Sequence, residues 1–361
     1  MPGGAAPEAG EPAATVATPG APMISRGIQN LRMITAWRRG QTGVAATAER
    51  LAINLEAASE GRFRVRITAA GEPGPTDRLP AVLRRGEAEL IHTGFDLFRQ
   101  EHPAHTWFDA VPFGLDGPEA DAWLSHGGGR ELADELGEAV GLYYLPCGNA
   151  GAGGGGWFRE APASDADAAT LRLRAAGLAA DVARQAGATV ADLTLARARG
   201  ALSAGSLDGA FGDGPWADLE AGLDRVAGAW LYPDWLRPSG PLWLGVGRGL
   251  HNSLTDSDRR LFAAVAAEQH AATAAAFTAG NARAAAEIRR REGLSVAPLP
   301  APLTAAFSTA TEEVLATVSI ADPLSRRVFE SWRVFRARVA GWSGTATAPF
   351  LTGREAAPGE N

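Results

Sequence analysis

Lysine is absent from the 361 residues, so all 34 basic side chains are arginine, and 41 acidic ones outnumber them. The resulting formal charge of −7 excludes a general nucleic-acid binder, because neutralising phosphates takes a concentrated cationic face. Cysteine occurs once, at Cys147, which excludes an intramolecular disulfide and any multi-cysteine metal site. No cysteine-enzyme signature surrounds it, and its expected role is a small half-buried residue near a strand end. No apolar run is long enough to span a bilayer. Met1 to Ser25 is rich in Pro, Gly and Ala, with Glu8 and Glu11 as its only charges. It has no basic segment leading into an apolar one, so it does not read as a signal peptide and is expected to be a disordered tail.

Catalytic patterns are missing too. There is no Ser-His-Asp spacing, no zinc-type His/Cys cluster and no carboxylate pair that stands out for acid–base work. The glycine run Gly151 to Gly156 lacks the Lys-Ser/Thr ending of a phosphate-binding loop. Neither an enzyme nor a cofactor is expected.

What is present is a globular chain, 46% hydrophobic and long enough for two α/β domains with their own cores. Short strands and helices alternate. Leu31 to Trp37 reads as a strand, Val44, Ala48, Leu51, Leu55 and Ala58 form a helical stripe stopped by Gly61, and Phe63, Val65 and Ile67 alternate with polar residues as a second strand. Leu79 to Gly86 reads as a short helix and Ala88 to Thr93 as a third strand. This βαβαβ rhythm implies a largely parallel sheet covered by helices. The second half repeats it, with strands at Leu142 to Leu145, Leu171 to Ala175, Ala188 to Leu193, Asp208 to Phe211 and Leu242 to Val246. The glycine-rich stretch from Gly148 to Gly156 suits a hinge or crossover between domains. Thr255 to Glu292 reads as one long helix, acidic near its start and basic near its end, with Gly280 as a candidate kink. A last helix runs from Pro323 to Trp342, with Val328, Trp332, Phe335 and Val339 on one stripe.

The strings Ala110-Val-Pro-Phe-Gly-Leu115, Trp123-Leu with Gly127-Gly-Gly129, Gly155-Gly-Trp-Phe-Arg159 and Phe335-Arg-Ala-Arg-Val-Ala-Gly-Trp-Ser343, in this order and spacing, resemble the DctP-like solute receptors of TRAP transporters. The likeness runs from about Leu31 to Ser343, and its strings look most like the subgroup that binds 2-oxo acids and other monocarboxylates. It implies a two-lobed, periplasmic-binding-protein-like α/β fold with crossing strands and a long helix across both lobes. The expected segments are a tail at 1–30, lobe I from 31–147 plus about 240–290, lobe II from 148–239 plus about 294–320, a C-terminal helix at 321–343 and a tail at 344–361. By the same resemblance, the protein is a periplasmic receptor that delivers a small organic anion to a TRAP-type membrane permease. It would be a monomer, or a homodimer through the C-terminal helix. The alternative is a degenerate paralogue that keeps the fold and serves as a protein-interaction module.

A buried carboxylate needs a cationic partner, and the planar fork of arginine matches its two oxygens. Arg174 falls where the resemblance places the carboxylate-binding arginine, and is expected to face the cleft with no fixed carboxylate partner. Read from the pattern alone, Arg172 and Arg174 could equally be the wet face of a strand. Asn149 matches a polar cleft residue, or is a turn asparagine among glycines. His92 and Thr93 stand at a strand's C-terminal end, where open α/β sheets hold ligands, although a core histidine is the simpler identity for His92. Tyr232 and Trp235 resemble a cleft-lining connection and could equally be core. The subgroup also implies a cation held by a glutamine and by a glutamate that precedes a tryptophan. Those three positions read Gly153, Phe211 and Gly212 here, with no side-chain oxygen among them, so no metal site of that kind is expected. Asp213 is a displaced candidate for the lost glutamate.

Overall fold

The computed structural model describes residues 27–72 and 79–356. The expected tail over Met1 to Ser25 lies outside them. Strands β1 (Gln29–Thr35), β2 (Phe63–Thr68), β3 (Leu90–Thr93) and β4 (Leu142–Asn149) come from the first half of the chain. Then follow β5 (Gly156–Phe158), β6 (Arg172–Arg174), β7 (Thr189–Ala191), β8 (Gly209–Phe211), β9 (Ala229–Tyr232), β10 (Pro241–Gly247) and β11 (Ser295–Pro298). They form two sheets, one per lobe, in the orders β2-β1-β3-β10-β4 and β11-β9-β5-β8-β6-β7. In each lobe three neighbouring strands are parallel, β2-β1-β3 and β8-β6-β7, as the alternating pattern implies. The returning strands are antiparallel. β10 lies between β3 and β4, while β5 lies between β8 and β9.

Burial follows the sequence stripes. In the helix Val44–Ala58, Ala48, Leu51 and Leu55 turn inward onto Leu31 and Met33 of β1, while Val44 packs with Leu242 and Phe277. The other face of the first sheet carries an aromatic core in which Phe95 stacks on Trp243 at 4.5 Å. In the second lobe Phe158, Leu173, Phe211 and Phe307 share one core. Cys147 is fully buried, and the apolar surroundings push its thiol well up, which makes it an inert core residue.

The long helix Asp256–Arg290 is continuous over about 52 Å at 1.5 Å per residue. Thr255 caps it, with Asp258 completing the reciprocal box. It packs on Val44–Ala58 and β4 of the first lobe and on Pro215–Ala221 of the second, so it ties the lobes together. Gly280 does not kink it. A Cβ there would lie 2.3 Å from the Trp216 ring, so glycine lets the helix approach the second lobe closely. Two helices, Ala301–Ser319 and Pro323–Trp342, close the fold, the latter laying Val328 and Trp332 over the first lobe's core. Helical structure continues through Ser343–Thr347 and Ala348–Ala356, where a tail is expected from the sequence.

Candidate functional site

Besides the connection that carries the long helix, two short segments join the sheets, residues 150–155 and 233–240, and they run alongside each other as a short ladder. Ala150 N–H donates to Gly240 O at 2.7 Å, Gly153 N–H to Arg237 O at 2.9 Å and Asp234 N–H to Gly154 O at 3.1 Å. The side chain of Asn149 closes this ladder, since its Oδ1 accepts from Gly151 N–H (2.8 Å) and Gly240 N–H (3.1 Å). Asn281 of the long helix clamps it from below, donating to Ala150 O and accepting from Trp216 N–H. No sequence pattern singles out Asn281, because its partners are distant backbone groups.

A cavity of about 750 Å³ opens on this ladder, lined from both lobes. Trp37, Asp96 and Asp109 come from the first lobe, Arg174 and Asp213 from the second, Asp234 and Arg237 from the crossing. Arg174 ends β6 and is only 6% exposed. Its Nε donates to Leu193 O at 2.9 Å and one terminal nitrogen to Phe211 O at 2.5 Å, which fixes the guanidinium plane. Arg172, two residues earlier, is the wet arginine, paired with Asp208. Arg174 does have a carboxylate neighbour, contrary to the expectation that it is left free. Asp213 Oδ1 lies 3.7 Å from it and 3.2 Å from Arg237, so one carboxylate is shared between two guanidinium groups. The remaining nitrogen of Arg174 bonds no described group.

Burial dominates the acids here. It pushes Asp109 up to about 7, with Asp96 adding to the effect, and Asp234 up to about 6. Beneath the floor, Asp218 is raised to about 7, by burial first and the charge of Asp213 second. Its Oδ2 accepts from the Trp157 indole at 2.9 Å and its Oδ1 from Asp213 N–H at 2.8 Å.

The other candidates lie outside this lining. His92 is fully buried between the β-strand ends and Trp37, with its Nδ1 accepting from the Trp37 indole at 2.8 Å. That bond assigns the proton to Nε2, which donates to Cys147 O at 3.2 Å, and burial lowers the ring to about 4. His92 is a neutral core histidine that reaches the cavity only through Trp37. Thr93 is buried with its hydroxyl on Gly94 O. Tyr232 lies against Trp230, and Trp235 stacks on Phe113 with ring planes 4° apart at 5.4 Å. Arg237, Asp234 and Asp96 also line the cavity, as isolated charges that look like surface in the sequence.

Residues 35–321 match the family described as bacterial extracellular solute-binding protein, family 7. The chain belongs to that family. It is similar to a monocarboxylate 2-oxoacid-binding periplasmic protein of Nostoc sp., 27% identical over 322 residues that cover 89% of this chain and 88% of the other. A TRAP transporter solute-binding protein from Bordetella bronchiseptica, a dimer with calcium and picolinate in one active site and the other empty, superposes with a TM-score of 0.85. The two are 25% identical, and the match covers 92% of this chain and 98% of that one. A further TRAP periplasmic solute-binding protein, from Pseudoalteromonas atlantica with bound sodium and pyruvate, has the same fold, with TM-score 0.83, 23% identity and coverage of 91% and 99%.

Within this family fold, the residue changes at Gly153 and Gly212 have a spatial counterpart. A Cβ on Gly153 would sit 2.2 Å from Asp234 Oδ2, and one on Gly212 would sit 2.1 Å from Asp218 Oδ1. Carboxylates from elsewhere in the second lobe occupy the space into which larger side chains would project. Among the described residues, no three His, Cys, Asp or Glu side chains are grouped to hold a metal ion. Gly153, Phe211 and Gly212 themselves bring no side-chain oxygen for the cation that the subgroup resemblance implies.

Proposed function

We propose that the chain is a TRAP-type solute receptor that binds a small organic acid between its lobes and presents it to a membrane permease. The observation that carries this reading is Arg174, a guanidinium held in one orientation by two backbone carbonyls and bordering a cavity of about 750 Å³. Arginine fixed in this way meets a carboxylate without reorganising, which keeps the entropy cost of binding low. The 2-oxoacid-binding relative and the picolinate-bound structure point to the same ligand class. Receptors of this family release what they bind unchanged, so no chemical step is assigned to the cleft. The degenerate-paralogue alternative is not favoured, since both the cavity and its arginine are retained.

The family description supports a place outside the cytoplasm, and among the described residues no helix is long and apolar enough to cross a membrane. The lobes are proposed to comprise 31–147 with about 240–290, and 148–239 with about 294–320. In the proposed site, Asn149 and His92 act behind the lining, as crossover brace and support for Trp37, while Thr93 and Tyr232 hold the strand ends. The exposed Trp342 and Phe350 of the C-terminal helices, 66% and 64% accessible, support pairing of two copies there. A thermal-shift screen against organic acids tests the central claim. A ligand at a hundred times its Kd stabilises the fold by about 2.7 kcal/mol, and a flat response across carboxylic acids overturns the reading.

A further inference from the structure

The cleft is more acidic than a receptor for a simple anion requires. Among the described residues its lining holds three arginines, Arg38, Arg174 and Arg237, against six carboxylates. In so enclosed a space a lone carboxylate would gain from the arginines and be repelled by each ionised aspartate. The carboxylates are not spread evenly. Asp213 is shared by Arg174 and Arg237, and Asp96, Asp109 and Asp234 are each near enough to act on the Arg237 guanidinium.

An unmet bonding demand lies in the same place. Asp234 is 5% exposed and lines the cavity, and its Oδ1 accepts from Leu236 N–H. Its Oδ2 is buried with no hydrogen-bond partner among the described residues, and so is Arg237 Nε. A buried carboxylate oxygen without a donor costs about 1–3 kcal/mol, more when charged. Its complement is a cationic N–H.

We infer that the cleft takes a zwitterionic acid, its carboxylate on Arg174 and its ammonium group among Asp234, Asp96 and Asp109. The inference rests on the receptor reading above and narrows its ligand class. Such a ligand brings one charge for each sign of the site, and its ammonium meets the carboxylates of Asp96 and Asp109 on the cavity wall.

The test pairs acids of one skeleton, with and without an ammonium group, in calorimetric titrations of the full chain. The pairs are pyruvate and L-alanine, 4-methyl-2-oxopentanoate and L-leucine, picolinate and L-pipecolate. At least one amino member is expected to bind about tenfold or more tighter than its partner, a difference of 1.4 kcal/mol. Asp96→Asn, on a side chain open to the cleft, and Asp234→Asn, which keeps the Oδ1 acceptor, should each weaken that amino ligand about tenfold and tighten the matched 2-oxo acid, from which a repelling charge has been removed. If the 2-oxo acids or picolinate bind and the amino acids do not, the zwitterion inference falls and the organic-acid receptor stands. If amino acids bind with unchanged affinity in both variants, the assignment of the ammonium to these carboxylates is overturned. Binding of neither series at millimolar concentration sinks both readings.

Discussion

The strand ends of the two sheets treat their polar residues in opposite ways. In the first lobe His92, Thr93 and Asn149 spend their main bonding capacity on the protein, on an indole, two carbonyls and two backbone amides. In the second lobe and the adjoining crossing, Arg174, Asp213, Asp234 and Arg237 are charged, crowded and incompletely bonded. Fully satisfied groups build a rigid frame, whereas groups with unmet capacity can bind a ligand. The contrast assigns recognition of the carboxylate to the second lobe and framing to the strand ends of the first, whose own cavity charges, Asp96 and Asp109, lie beyond those strand ends.

The sharpest way to break this contrast is Arg174→Ala. It should weaken acid binding about 100-fold or more, since a buried charge pair loses one partner. It should also lower stability by about 2–4 kcal/mol, because Leu193 O and Phe211 O lose their donor. Calorimetry and chemical denaturation separate the two effects. Retained affinity in a folded variant would remove Arg174 from the site. The complementary change, His92→Ala, should cost about 2–4 kcal/mol by opening a cavity and stranding the Trp37 indole and Cys147 O. Its effect on Kd should stay under about tenfold, acting only through a loosened Trp37. A larger loss of affinity than of stability would put His92 in contact with ligand.

Much of this frame is legible in the amino-acid order alone. The period-2 and period-3.6 stripes place β1, β2 and the helix Val44–Ala58 because a sheet or helix face must be buried, and the glycine run marks the crossing. Arg174 is reached through resemblance, since its pattern with Arg172 is that of a wet strand face. The shared Asp213, the orphaned Asp234 and the Asn281 clamp are not legible, because each depends on contacts between segments tens of residues apart. The same holds for Gly280, which looks like a kink until Trp216 is set against it.

A smaller effect probes the charge of the cleft. Burial raises Asp234 to about 6 from the ordinary value near 4, so the folded state binds its proton more tightly than the unfolded state does. Its contribution to stability is full below about pH 4 and is lost as pH rises through about 6. Asp234→Asn should therefore gain stability relative to the parent as pH is raised from 4 to 7, seen as a narrowing or reversal of the difference in Tm. A difference independent of pH would mean that Asp234 is ionised throughout, already paired with a cation.

The smallest effect concerns the rim. Trp235, 40% exposed, stacks flat on Phe113, and Phe113 N–H donates to Trp235 O at 2.8 Å. The pair joins the segment after Asp109 to the crossing at the cleft's edge, outside the cavity lining. Stacked rings contribute about 0.5–1.5 kcal/mol beyond the area they bury, and here one ring face stays wet. The backbone bond survives any side-chain change, so Trp235→Ala removes the stack alone. If the stack favours the closed arrangement of the lobes, its loss should weaken binding about three- to tenfold, mainly through faster ligand release. Stopped-flow dissociation and equilibrium titration of the same variant check this. Unchanged release would make the stack a packing contact, and a loss approaching that of Arg174→Ala would shift recognition out of the second lobe's floor and onto its rim.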